Sequence, residues 1–235
     1  MKYYLFIDNF RGFSRTSIPI TDVNFLVGEN STGKTSVLGL LKLLSSPRFL
    51  FSQDFSDEDV GFTHFSDMVS AHSENQSCFH IGFAWEGSER RRSEKVATGF
   101  LLTFVKEEGL PLLSRYTFCR GQEKVSLRFG KGVYYRADKY PGPLTAQRIV
   151  STELHNWVNE HSGKGNGYRK LVMPAGFPSR IPLVVAMSLL LNKSRGPVKA
   201  TRERRELLVY QPEVAFPLEL IWLAPMTCPR FLYQS

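Results

Sequence analysis

Residues 23–36, VNFLVGENSTGKTS, constrain this chain more than any other stretch. The run at 23–27 is almost uniformly apolar and β-rich, the pattern of a strand buried on both faces. It leads into Gly28, Glu29, Asn30, Ser31, Thr32, Gly33, Lys34 and Thr35, which fit G-x-x-x-x-G-K-[ST]. Ser36 and the apolar run VLGLLKLLSS follow, ending at Pro47, so a buried helix is expected over residues 34–46. Strand, glycine loop and helix together make a phosphate cradle. The glycines let the backbone curl so that successive N–H groups point inward. The helix start adds partial positive charge. Lys34 is expected to reach the β- and γ-phosphates of a nucleotide, and the Thr35 hydroxyl to ligate Mg²⁺. The implied ligands are ATP and Mg²⁺. The competing reading is a strand-to-helix turn with no ligand.

The remaining pattern supplies more strands. Residues 3–8 and 14–20 read as two strands before the apolar run. A short helix is expected within residues 64–72. CFHIGFAW, VATGFLLTFV, SRYTFC, VSLRF and VYYR, between Cys78 and Arg136, read as an antiparallel meander with polar turns. Ala146, Ile149, Val150, Leu154, Trp157 and Val158 share one face of a helix expected over 145–160. A second buried helix is expected at 181–192, a basic segment at 193–206, and one or two strands in the tail. The fold class expected is therefore α/β, with a nucleotide-binding lobe at 1–76, an antiparallel β insertion at 77–140, and a helix-and-strand segment at 141–235.

The 235 residues suit one large domain or a domain with an inserted lobe. With 42% hydrophobic and 22% charged residues, a disordered, collagenous or coiled-coil chain is excluded. Apolar runs such as 183–191 fall short of the ~20 residues that span a bilayer. The N-terminus lacks a signal-peptide pattern. Three cysteines without a CxxC pair point to a reducing compartment, so the expectation is a cytoplasmic protein with no membrane partner. Thirty Lys and Arg against 22 Asp and Glu favour anionic partners without choosing among them.

The segment KYYLFIDNFRGFSRTSIPITDVNFLVGENSTGKTSVL resembles the opening of ABC-type AAA ATPase heads of the SMC, RecF and OLD group. Those heads carry an N-F-R-G-F motif before their phosphate loop, matched here by Asn9, Phe10, Arg11, Gly12 and Phe13. The resemblance implies a P-loop NTPase fold, of which this chain holds the N-terminal lobe. It also implies that Arg11 lies beside the nucleotide and helps neutralise its phosphates; the alternative is an exposed arginine in a hairpin turn. Ser31-Thr32 and Thr35-Ser36 depart from the commoner Gly-Ser and Ser-Thr, but keep small size and hydroxyls. The segment IWLAPM (221–226) is similar to one in Septu-type and retron-linked anti-phage ATPases. In these families two heads sandwich two nucleotides. The implied partners are a second copy of the chain and an effector nuclease or other defence protein.

The hydrolytic half of such a head is not legible. The strand LLVYQPE (207–213) places Tyr210 and Gln211 where the family has Asp and Glu. Tyrosine cannot supply the Mg²⁺ carboxylate, and glutamine cannot accept a proton. The run ending at Glu86 lacks a preceding Asp, and there is no S-G-G signature. His155 and His161 read as surface residues. No catalytic residue is named, and the expectation is the N-terminal half of a larger head. Two readings stay open: an ATPase-head module, or a nucleotide-binding or interaction module without turnover. A third is a DNA-binding protein. Arg90, Arg91 and Arg92 sit in an expected hairpin turn. Lys193, Arg195, Lys199, Arg202, Arg204 and Arg205, with Lys164, Arg169 and Lys170, offer an anion-binding face, so nucleic acid remains an open partner.

Overall fold

The computed structural model describes residues 3–29, 32–46, 49, 55, 62–71, 73, 75–88, 95–160 and 167–171. Alternating apolar residues in the N-terminal segment build a hairpin, β1 (Tyr3–Asp8) and β2 (Thr16–Ile20). The meander follows as β3 (Cys78–Ser88), β4 (Lys95–Glu107), β5 (Leu110–Arg120), β6 (Glu123–Phe129) and β7 (Val133–Lys139). A short β8 (Arg169–Lys170) completes an eight-stranded sheet in the order β2-β1-β3-β4-β5-β6-β7-β8. Every neighbouring pair is antiparallel. Pro19 lies on β2, at the edge of this sheet, where its missing N–H costs no ladder bond. Between β4 and β5 the chain reverses through Glu108 and Gly109, both at positive φ (+50° and +85°), the backbone that matches strand twist in a tight hairpin.

Strand alternation divides the interior in two. One face carries Leu5, Ile7, Phe79, Ile81, Phe83, Phe100, Leu102, Phe104, Tyr116, Phe118, Val125 and Leu127. Rings run across this face from strand to strand, with Phe83–Phe100 and Phe100–Tyr116 centroids 6.4 and 6.1 Å apart, and on along β5 from Tyr116 to Phe118 at 6.3 Å. Helix α1 (Lys34–Ser45) packs here through Val37, Leu40, Leu41, Leu43 and Leu44, together with the single-turn α2 (Phe65–Met68).

The opposite face carries Phe6, Ala84, Ala97, Leu101 and Cys119, covered by a helix over 146–159, α3. This helix starts at Thr145, whose hydroxyl accepts the Arg148 N–H at 3.1 Å, while Glu86 accepts the Ala146 N–H at 3.1 Å. Its middle, Ile149–Glu153, is a π turn between the α segments Ala146–Arg148 and Leu154–Asn159. Gly99 lies beneath that turn; a Cβ there would stand 2.8 Å from Ile149 Cγ2, so the close approach requires glycine. Among the described residues no helix is long and apolar enough to cross a membrane.

Several expectations change. Residues 23–27 form no strand: Val23, Phe25 and Val27 are 69%, 86% and 88% exposed. A uniformly apolar run encodes burial between layers, but a strand also needs a paired neighbour, and none of the described strands pairs with it. The expected strand feeding the loop is therefore missing, and the described residues form one antiparallel sheet with few helices. The first hairpin and the meander share that sheet through the β1–β3 ladder. The turn between β4 and β5 is only two residues long, because cross-strand pairing carries Leu110 and Pro111 into β5. His155 is half-buried, its ring 5.1 Å from Phe6. The expectations for Asn30, Ser31, Arg90, Arg91, Arg92, His161, Lys164 and everything from residue 172 onward lie outside the described residues.

Candidate phosphate-binding site

The tip between β1 and β2 is wound tightly. Asn9, Arg11 and Arg15 sit at φ +54°, +51° and +44°, a region that asparagine tolerates best among side-chain-bearing residues. The Asn9 amide donates to the carbonyls of Asn75 and Cys78. Phe10 is fully buried, its ring 5.2 Å from Phe62 and 5.3 Å from Phe79. Asp8 accepts the Arg15 backbone N–H at 3.0 Å and pairs with His80 at 3.1 Å. Burial works to raise the Asp8 carboxyl pKa, but the His80 and Arg15 hydrogen bonds and charges hold it below the ordinary value.

These anchors aim Arg11 at the start of α1. Its backbone N–H donates to the Met68 carbonyl at 2.6 Å, and Nε donates to the Asp67 carbonyl at 3.1 Å. Nη1 donates to Ser36 Oγ at 3.1 Å, and the guanidinium carbon stands 4.5 Å from the Phe62 ring centroid. Burial lowers the Arg11 pKa, opposed by the charge of Asp67. An arginine starts so high that it stays charged.

Gly33 caps α1 at φ +91°, and the first helical bond runs from Val37 N–H to the Gly33 carbonyl at 3.0 Å. The Phe13 ring lies against Gly33 so closely that a Cβ there would meet it at 2.6 and 2.8 Å. Lys34 Nζ folds back onto the loop, donating to the carbonyls of Glu29 and, at 2.7 Å, Gly28. Thr32 Oγ1 donates to the Glu29 carbonyl at 2.9 Å. Thr35 is exposed, and Ser36 is buried under Arg11.

Arg11, Gly12, Phe13, Thr32, Gly33, Lys34, Thr35 and Ser36 line one cavity of about 610 Å³. That volume lies in the ~300–1,000 Å³ range of small-ligand sites. Its lining offers two cations, hydroxyls and a helix start whose first N–H groups have no intrahelical acceptor. Among the described residues, no carboxylate lines it. The donor set fits an oxyanion. The Thr35 hydroxyl is a hard oxygen at the mouth, suited to an ion such as Mg²⁺ that keeps waters and phosphate oxygens as its other ligands.

Residues 1–96 match the family model for the AAA ATPase domain. The match supports an AAA-type ATPase, and with it nucleotide binding through a P-loop. Searches of curated proteins and of solved structures found no match.

The structure brings Arg11 together with Thr32, Gly33, Lys34, Thr35 and Ser36, while Gly28 and Glu29 meet Lys34 through their carbonyls. Gly12 and Phe13 join the lining unexpectedly, as do Phe62 and Asp67 as supports for Arg11. The 9–13 motif contains the first two, but spacing alone does not show which of its residues return to the loop.

Proposed function

We propose that the chain is the ATP·Mg²⁺-binding module of an SMC/RecF/OLD-like ATPase, in which nucleotide-driven dimerisation gates an effector acting in nucleic-acid processing or anti-phage defence. The observation that carries the nucleotide part is the convergence of Arg11 and Lys34 on one cavity at the start of α1. Gly28, Glu29, Asn30, Ser31, Thr32 and Gly33 would cradle the phosphates, with Lys34 and Arg11 neutralising them. Thr35 would hold Mg²⁺, with Ser36 orienting Arg11. The metal supplies further charge neutralisation when bound. Lys34 would exchange its loop carbonyls for phosphate oxygens and stabilise charge developing at the γ-phosphate.

A second reading, nucleotide binding without turnover, is favoured by Tyr210 and Gln211 at the positions where the related heads carry Asp and Glu. Titration of a fluorescent ATP analogue with Mg²⁺ tests the binding shared by both. Lys34→Ala is expected to weaken binding at least about tenfold, the loss of roughly one charge-assisted hydrogen bond; unchanged binding would overturn both readings. Lys34-dependent phosphate release by the purified chain would select the first, and binding without release the second.

A further inference from the structure

On the sheet face opposite α1, the register places Arg115 of β5 directly across from Arg128 of β6. Like charges in that position repel, and nothing in strand propensity calls for them. The neighbouring rows carry Thr117 across from Ser126, with hydroxyls 3.2 Å apart, and Ser126 across from Arg136 of β7. Lys124 lies one row further along β6. Four cations thus share a small area.

Lys124 and Arg136 are answered by Glu160 and Asp138, and neither carboxylate pairs with Arg115. Glu160 pairs with Lys124 at 2.8 Å and Arg136 at 3.2 Å, and Asp138 pairs with Arg136 at 2.8 Å. Arg115 is only 3% exposed, makes no ion pair with a described residue, and its Nε has no hydrogen-bond partner among them. The Tyr168 ring covers the cluster, 4.2 Å from the Arg128 guanidinium carbon and 5.6 Å from that of Arg136. The Tyr168 hydroxyl is also buried without a partner among the described residues. Burial lowers the Arg115 pKa; Tyr168 and Glu160 oppose this, while Arg128 and Arg136 add to it. A buried guanidinium with an unanswered donor is costly, and an oxyanion relieves both the desolvation and the like-charge repulsion. Arg128 and Arg136 are half-buried, leaving a side open to solvent.

We propose that Arg115, Arg128 and Tyr168, flanked by Arg136, form a second oxyanion site that takes a single phosphate group, separate from the loop at Lys34. The two exposed cations of β8, Arg169 and Lys170, sit beside β7 and extend the positive field toward solvent.

The test uses the full chain carrying Lys34→Ala, which weakens loop binding, and Arg128→Gln is compared in the same background. Inorganic phosphate and a 5′-phosphorylated oligonucleotide are titrated in parallel, with potassium chloride at matched ionic strength, and thermal midpoints are read. A rise of roughly 3–6 °C at about tenfold excess over the dissociation constant is expected. Protection by either source supports the site, and which one protects identifies the phosphate's origin. Arg115→Met is expected to abolish the rise; if that variant does not fold, Arg128→Gln decides. No rise from either source, or a rise that survives Arg128→Gln undiminished, would overturn the proposal. Arg128 lies outside the loop cavity, so a rise lost with Arg128→Gln is distinguished from phosphate binding at the loop.

Discussion

Gly33→Ala probes how the hairpin tip and the phosphate loop are joined. Gly33 sits at φ +91°, where a side-chain-bearing residue costs about 1–2 kcal/mol. An added Cβ would also stand 2.6 Å from Phe13 Cζ and 2.8 Å from Cε2. Such overpacking costs ~1–3 kcal/mol, the lower figure if the half-buried ring swings aside. The total expected loss is about 2–5 kcal/mol. The two causes separate in a double-mutant cycle. Phe13→Ala in the Gly33→Ala background removes the clash and leaves the backbone penalty, so ~1–3 kcal/mol should return. Urea denaturation followed by tryptophan fluorescence reads the stabilities, with Trp85 and Trp157 as buried reporters. ATP-analogue titration reads the loop. Parent-like stability in Gly33→Ala would refute the strain at this contact. So would a Phe13→Ala effect that is the same with and without Gly33.

The Asp8–His80 pair predicts acid sensitivity. Because the native Asp8 pKa is depressed below 3.8, its contribution is present above that value and is lost as pH falls through the native pKa. Asp8→Asn should flatten the fall in urea midpoint below about pH 4; an unchanged slope would remove Asp8 as the cause. In α1, Leu40 is fully buried and Leu38 is 37% exposed. Leu40→Ala should cost ~2–5 kcal/mol and Leu38→Ala under ~1 kcal/mol by the same denaturation assay. Equal losses would refute the assignment of the buried face.

Local chemistry is readable directly. The loop spelling at 28–35 implies a phosphate cradle because each residue type acts within a few positions of itself. The start of α1 at Lys34 follows from the apolar run and the glycine before it. The meander is readable from alternation, although pairing lengthens β4 and β5 beyond their apolar cores. Residues 23–27 mislead, because an apolar strand pattern states what a segment requires and not whether a neighbour supplies it.

Sequence by itself named the residues proposed to meet phosphate: Lys34, Thr35 and the glycines around them. Tertiary structure decided what stands beside them. Arg11 and Phe13 reach α1 only because Asn9, Phe10 and Asp8 pin a left-handed turn against β3 and the chain near Phe62. The Arg115–Arg128 pair exists only through the β5–β6 register. Register and cross-strand packing join residues far apart in the chain, so their consequences are carried by the whole fold and by no local pattern.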